Sequence, residues 1–230
     1  MFKFHINNIK GGYEICGIDP TDWDYLDKEV MNEEWKYVHD ELLKEATLLV
    51  EKNCLFEIHL DGFFTEEFGN LIYRLRKKIS KLTIIRSAVQ NPKFNMNFMF
   101  ENMSQLKELT LCNTNHNWFS NIFCCLKTHC KQLEVVSLVN NEDSDDPVLS
   151  MKFVYNFISD LPKLNNFDCL SFVDVLGQRN FVNKLVDLYN TRPMSYCRFI
   201  VDVPESTDCD SAEISDSYDI LEKSGVVVFN

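Results

Sequence analysis

The chain has 230 residues, 45% of them apolar, which fills the core of one large domain or two small ones; seven glycines and six prolines are too few for an all-β protein, so helices carry much of it. A formal charge of −12 excludes sequence-independent binding to nucleic acid or an anionic membrane, which needs a concentrated basic surface. No run reaches the roughly eighteen apolar residues that span a bilayer. The opening MFKFHINNIKGGYEICG lacks a signal peptide's apolar core and small-residue cleavage site, so the expected location is the cytoplasm or nucleus. Nine cysteines, odd in number and unevenly spaced, are expected to be reduced and mostly buried.

In chain order, FKFHI and YEICGI flank NNIKGG and predict two short strands around a glycine turn. A long helix follows over about 33–52, with Trp35, Val38, Leu42, Ala46 and Leu49 on one face and acidic residues elsewhere. Residues 1–54 are thus expected to form an N-terminal cap. The basic cluster Arg74, Arg76, Lys77 and Lys78 falls where a predicted helix closes, a position the helix dipole favours.

From residue 55 a repeat emerges. LKELTLCNT at 106–114 and LEVVSLVNN at 133–141 carry apolar residues at the first, fourth and sixth places, and Asn141 ends the second. Weaker copies are LFEIHLDGF at 55–63, ISKLTIIRS at 79–87, LNNFDCLSF at 164–172 and MSYCRFIVD at 194–202, with starts 24 to 31 residues apart. Between them run quartets with the i, i+3, i+4, i+7 spacing of one helix face. They are Phe68, Leu71, Ile72, Leu75; Met96, Met99, Phe100, Met103; Phe119, Ile122, Phe123, Leu126; Val154, Phe157, Ile158, Leu161; and Val182, Leu185, Val186, Tyr189. Thr65 is the expected cap of the first helix, and Asp146-Pro147 the expected start of the fourth. The acid- and serine-rich PESTDCDSAEISDS at 204–217 reads as a mobile loop, open to phosphorylation or a role as a degradation signal. Ile214, Tyr218 and Leu221 continue a helical spacing, and Gly225 breaks it before a closing strand, VVVF at 226–229.

The strand pattern and unit length resemble the ribonuclease-inhibitor type of leucine-rich repeat, the kind also found in F-box substrate receptors. The resemblance covers about residues 55–202. It implies an α/β fold, a right-handed leucine-rich-repeat solenoid with parallel strands on the concave face and helices on the convex face, making about six divergent repeats over 55–230. The family's ninth-place Asn or Cys is met only by Asn141, the others being Phe63, Ser87, Thr114, Phe172 and Asp202. No Leu-Pro opening of an F-box is present, and Trp35 in an acidic helix is a faint likeness to the segment that often follows one.

Catalytic and cofactor motifs are missing: there is no G-x-S-x-G elbow, no protease-like Cys/His signature, and neither G-x-x-x-x-G-K nor G-x-G-x-x-G. Cys124, Cys125, His129 and Cys130 lack a C-x-x-C pair and spread around a helix, so no metal is expected; His59 and His116 are isolated. The expectation is a non-enzymatic scaffold with a protein partner and no cofactor, small-molecule substrate, nucleic acid or membrane. The resemblance points to substrate recognition in a ubiquitin-ligase adaptor. The alternatives are an acidic inhibitor or regulator of a basic partner enzyme, and an enzyme on a divergent α/β fold with a deep pocket.

In the repeat register, third, fifth and seventh places face the concave side, since strand side chains alternate. The fifth-place column is His59, Thr83, Thr110, Ser137, Asp168 and Arg198, polar throughout. The third-place column is Glu57, Lys81, Glu108, Val135, Asn166 and Tyr196. In the seventh, Asp61 is followed by apolar Ile85, Cys112, Val139, Leu170 and Ile200: either a partner site or a strip covered by another part of the chain.

Overall fold

The structure, a computed structural model, describes residues 3–9, 12–18, 44, 48, 52, 54–61, 66–85, 100–112, 119–139, 148–192, 194–202 and 210–229. Among them, strands β1 (Lys3–Ile9), β2 (Gly12–Ile18), β3 (Leu55–Asp61), β4 (Ile79–Ile85), β5 (Glu108–Cys112), β6 (Val135–Val139), β7 (Leu149–Ser150), β8 (Asn166–Asp174), β9 (Tyr196–Val201) and β10 (Val227–Phe229) form one sheet. Helices α1 (Glu66–Leu75), α2 (Phe119–His129), α3 (Met151–Asp160), α4 (Arg179–Thr191) and α5 (Asp210–Lys223) lie between them in sequence.

β1 and β2 are antiparallel, every other pairing is parallel, and the main path through the sheet follows chain order, with β7 added beside β8. A parallel neighbour must be reached by a crossover, which is what the intervening helices supply. Because the order of the described strands never reverses, they contain no switch point of the doubly wound kind, where such folds open a ligand crevice. No described helix is long and apolar enough to cross a membrane.

The core follows from strand alternation. Leu82 and Ile84, Leu109 and Leu111, Val136 and Leu138, Phe167 and Cys169, and Cys197 and Phe199 are all sealed from solvent and join one apolar cluster. The helices close it with Leu71, Ile72 and Leu75, then Phe123 and Leu126, then Val154, Phe157 and Ile158, then Val182 and Leu185, all buried quartet members. Edge-to-face contacts tie α2 to α3, with Phe123 at 4.6 Å from Phe153 and 4.5 Å from Phe157, while Phe157 lies 5.8 Å from Phe167 of β8.

The entries to β5, β6 and β8 are built alike. The amides of Leu106, Leu133 and Leu164 donate to the carbonyls of Met103, Cys130 and Leu161, closing four-residue turns between buried apolar side chains. The next residue's amide reaches back to the preceding unit: Lys107 to Ser80, Glu134 to Lys107, Asn165 to Glu134 and Ser195 to Asn165, at 2.7–2.9 Å. Side chains add further stitches. The Arg192 guanidinium, at the end of α4, donates to the carbonyl of Ile158 at 2.9 Å and to those of Leu161 and Leu164. These carbonyls sit at and just past the end of α3, where those of Ile158 and Leu161 also accept the amides of Leu161 and Leu164. Lys131 likewise donates to the Asp160 carbonyl at 3.2 Å.

Several sequence expectations are corrected. In the copy at 55–63 the buried residue is Phe56, while Leu55 is 41% exposed; Phe56 pairs with Ile79, and the register shifts after it. The α3 cap is Ser150, whose Oγ accepts from the Phe153 amide at 3.2 Å, while Asp146, Pro147 and Thr65 lie outside the described residues. The 204–217 segment is not loop throughout: α5 begins at Asp210 and Ser217 is fully buried. The first strands run longer than expected, with Ile9 paired opposite Gly12. Of the 33–52 helix, Lys44, Leu48 and Lys52 are described, the first two helical and Lys52 not; of the second quartet, Phe100 and Met103 are described, both buried. The closing elements appear as expected, with Gly225 at φ +90, a left-handed conformation suited to glycine after a helix.

Candidate functional site

The sheet face opposite the helices carries the three columns. Their lateral alignment is direct: Glu57, Lys81, Glu108, Val135, Asn166 and Tyr196 are successive register partners, and so are His59, Thr83, Thr110, Ser137, Asp168 and Arg198. All twelve are partly exposed except Thr83, at 7%. A short side chain between the longer Lys81 and Ile85 of its own strand, Thr83 offers little surface.

The apolar column aligns as Ile85, Cys112, Val139 and Leu170, each partly exposed. It then departs from the expected register, because Ile200 pairs with Phe172 rather than Leu170. The cause lies in β8, whose nine residues also hold β7, with Leu149 opposite Val173; the shift falls between Cys169 and Phe172, as a bulge produces. Phe172, 40% exposed, therefore joins the strip, and Val148, 46% exposed, precedes Leu149 nearby. Sequence reading missed both: it gave Phe172 the ninth place of a repeat and put Val148 within the helix expected to start at Asp146-Pro147, and L-S-F shows no sign of the bulge.

Charge on this face is largely spent internally. Arg198 Nε and Nη2 donate to the two carboxylate oxygens of Asp168, each at 2.6 Å, and the guanidinium stands 5.5 Å from the Tyr196 ring centre. Hydrogen bonding to Asp168 holds the Arg198 pKa above its ordinary value. Lys81 and Glu108 pair at 2.8 Å in the neighbouring column. Such cross-strand ion pairs stabilise the sheet more than they invite a ligand.

At the carboxyl ends of the strands the balance differs. Asp174, closing β8, accepts from the Leu176 amide at 2.8 Å and from Gln178 Nε2 at 3.1 Å, both neutral donors. Asp202 follows β9, its amide donating to the Val173 carbonyl at 2.9 Å; burial, then the Asp174 charge, raises its carboxyl pKa. Among the described residues neither forms an ion pair.

The cysteine–histidine grouping on α2 does not converge. Among the described residues no group of three or more His, Cys, Asp or Glu is arranged to hold a metal ion. Cys124 is exposed, Cys125 half-buried, and Cys130 buried with its thiol pushed up to about 12 by desolvation and then by Cys125. His116 lies outside the described residues. No family model matches this chain, and no curated protein matches it.

Proposed function

We propose that the chain is a divergent leucine-rich-repeat solenoid that works as a protein-recognition scaffold, residues 1–54 acting as its cap and 55–230 carrying the repeats. The docking surface is the sheet face opposite the described helices, and one observation carries this reading: the apolar strip of Val139, Leu170 and Phe172 stays partly exposed beside columns in which Lys81 pairs with Glu108 and Arg198 with Asp168. An exposed apolar row is what a partner desolvates. The recurrent strand-entry hydrogen bonds support a stack of equivalent units. The unit length supports placing the scaffold among substrate receptors of ubiquitin-ligase adaptors.

The test is affinity capture with the wild-type chain and a Val139→Asp/Leu170→Asp double variant. The proposal expects a protein bound by the wild type and lost from the variant, with cullin-ligase components recovered alongside it. Equal recovery by both baits removes the docking face. Loss of partner without any ligase component removes the adaptor role and leaves the scaffold.

A further inference from the structure

We propose that the occupant of this face is a partner's extended segment that alternates basic and apolar residues, seated at the carboxyl ends of β6, β8 and β9. The inference rests on the docking role proposed above and adds the chemistry of the partner. The apolar contribution is Val139, Leu170, Phe172 and Ile200, where the strip is broadest because the β8 bulge brings Phe172 beside Ile200. From β4 to β9 the strip crosses four inter-strand steps, about 19 Å, the reach of roughly six extended residues.

The sign of the partner follows from where charge is left over. Asp168 and Glu108 are neutralised within the sheet by Arg198 and Lys81. Asp174 and Asp202 are close enough for one to oppose ionisation of the other, and no described cation answers them. In sequence, the segments leaving β6 and β9 add Glu142, Asp143, Asp145, Asp146, Glu205 and Asp208, with no Lys or Arg between 140 and 151 or between 202 and 209. At the opposite, amino-terminal ends of the strands, Lys131 and Arg192 are engaged with backbone carbonyls. Among the described residues, Asp174 and Asp202 thus have no cationic partner at the end of the strands where Phe172 is exposed, and a basic segment complements them. An acidic or uncharged one would leave the carboxylates facing like charge or a drier surface without gain.

Three fluorescein-labelled nonapeptides test this by anisotropy: alternating lysine and valine, alternating lysine and serine, and alternating glutamate and valine. The lysine–valine peptide is expected to bind the full-length chain, and raising salt from about 50 to about 200 mM should weaken it about five-fold or more. The lysine–serine peptide should bind at least about ten-fold more weakly, and the glutamate–valine peptide not measurably. Asp174→Asn/Asp202→Asn should cost the lysine–valine peptide about five-fold, and Leu170→Ser a similar amount, in variants whose unfolding midpoints match the wild type. An unchanged affinity in the Asn double variant overturns the inference, and so does the absence of binding by all three peptides. Binding of the glutamate–valine peptide that Leu170→Ser weakens overturns the basic partner while keeping the docking face. Lysine–valine affinity indifferent to Leu170→Ser overturns both.

Discussion

Replacing Arg192 should destabilise the protein more than its surface position suggests. Its guanidinium donates to the carbonyls of Ile158, Leu161 and Leu164, closing the end of α3 from a residue 28 to 34 positions further along the chain. A hydrogen bond from a charged donor contributes about 1.5–3 kcal/mol net, and truncation removes this donor from all three carbonyls while those of Ile158 and Leu161 keep the amides of Leu161 and Leu164. The site is only part-buried, so water reaches some of them, and the three bonds share one side chain. The expected cost of Arg192→Ala is therefore about 3 kcal/mol rather than the full sum. Arg192→Lys should recover less than half of this, since one ammonium cannot reproduce a planar fork over three acceptors. Urea unfolding followed by far-ultraviolet circular dichroism measures both, with the slope m required to stay constant. A loss below about 0.5 kcal/mol in the alanine variant, or full recovery by lysine, would refute the stitch between units.

The three strand-entry leucines, Leu106, Leu133 and Leu164, are fully buried at equivalent turns, so alanine at each should cost about 2–5 kcal/mol and by similar amounts. A near-neutral value at any one in urea unfolding would show that the turns are not equivalent. The buried thiols of Cys130 and Cys197 are raised from 9.0 to about 12, chiefly by burial. The unfolded thiols ionise first, so their contribution is whole below the ordinary thiol value and is lost as pH rises towards about 12. Between about pH 7.5 and 10 the wild type should lose about 1 kcal/mol per thiol beyond what a Cys130→Ala/Cys197→Ala variant loses, and equal slopes would contradict this.

What the sequence revealed and what it concealed divide along physical lines. The helix faces were readable because burial imposes a period, and Phe123, Leu126, Val154 and Leu185 are buried as their spacing requires. Strand alternation was readable for the same reason from β5 to β9. Leu55 and Phe56 are adjacent and both apolar; the repeat pattern's first place selects Leu55, but strict alternation back from Ile58 puts Phe56 on the buried face, as the structure does. The bulge in β8 was hidden because Leu170, Ser171 and Phe172 keep an ordinary alternation while the register with β9 changes. Partners distant in sequence were equally hidden: Asp168 with Arg198, and Arg192 with the end of α3, are matched by stacking of units, not by local pattern. The candidate face was therefore legible as a set of columns. Its charge balance was not, because the pairing that cancels Asp168 and leaves Asp174 is a tertiary fact.

The central claim is that β6 divides its side chains between a sealed core and an open docking face, and one pair of variants measures it. Val136 is fully buried, whereas Val139, on the same strand, is partly exposed. Val136→Asp buries a carboxylate without a partner and should abolish cooperative unfolding or cost more than about 4 kcal/mol. Val139→Asp should stay within about 1 kcal/mol of the wild type. Comparable destabilisation of both in urea unfolding would mean that the strip is core, and that this face docks nothing.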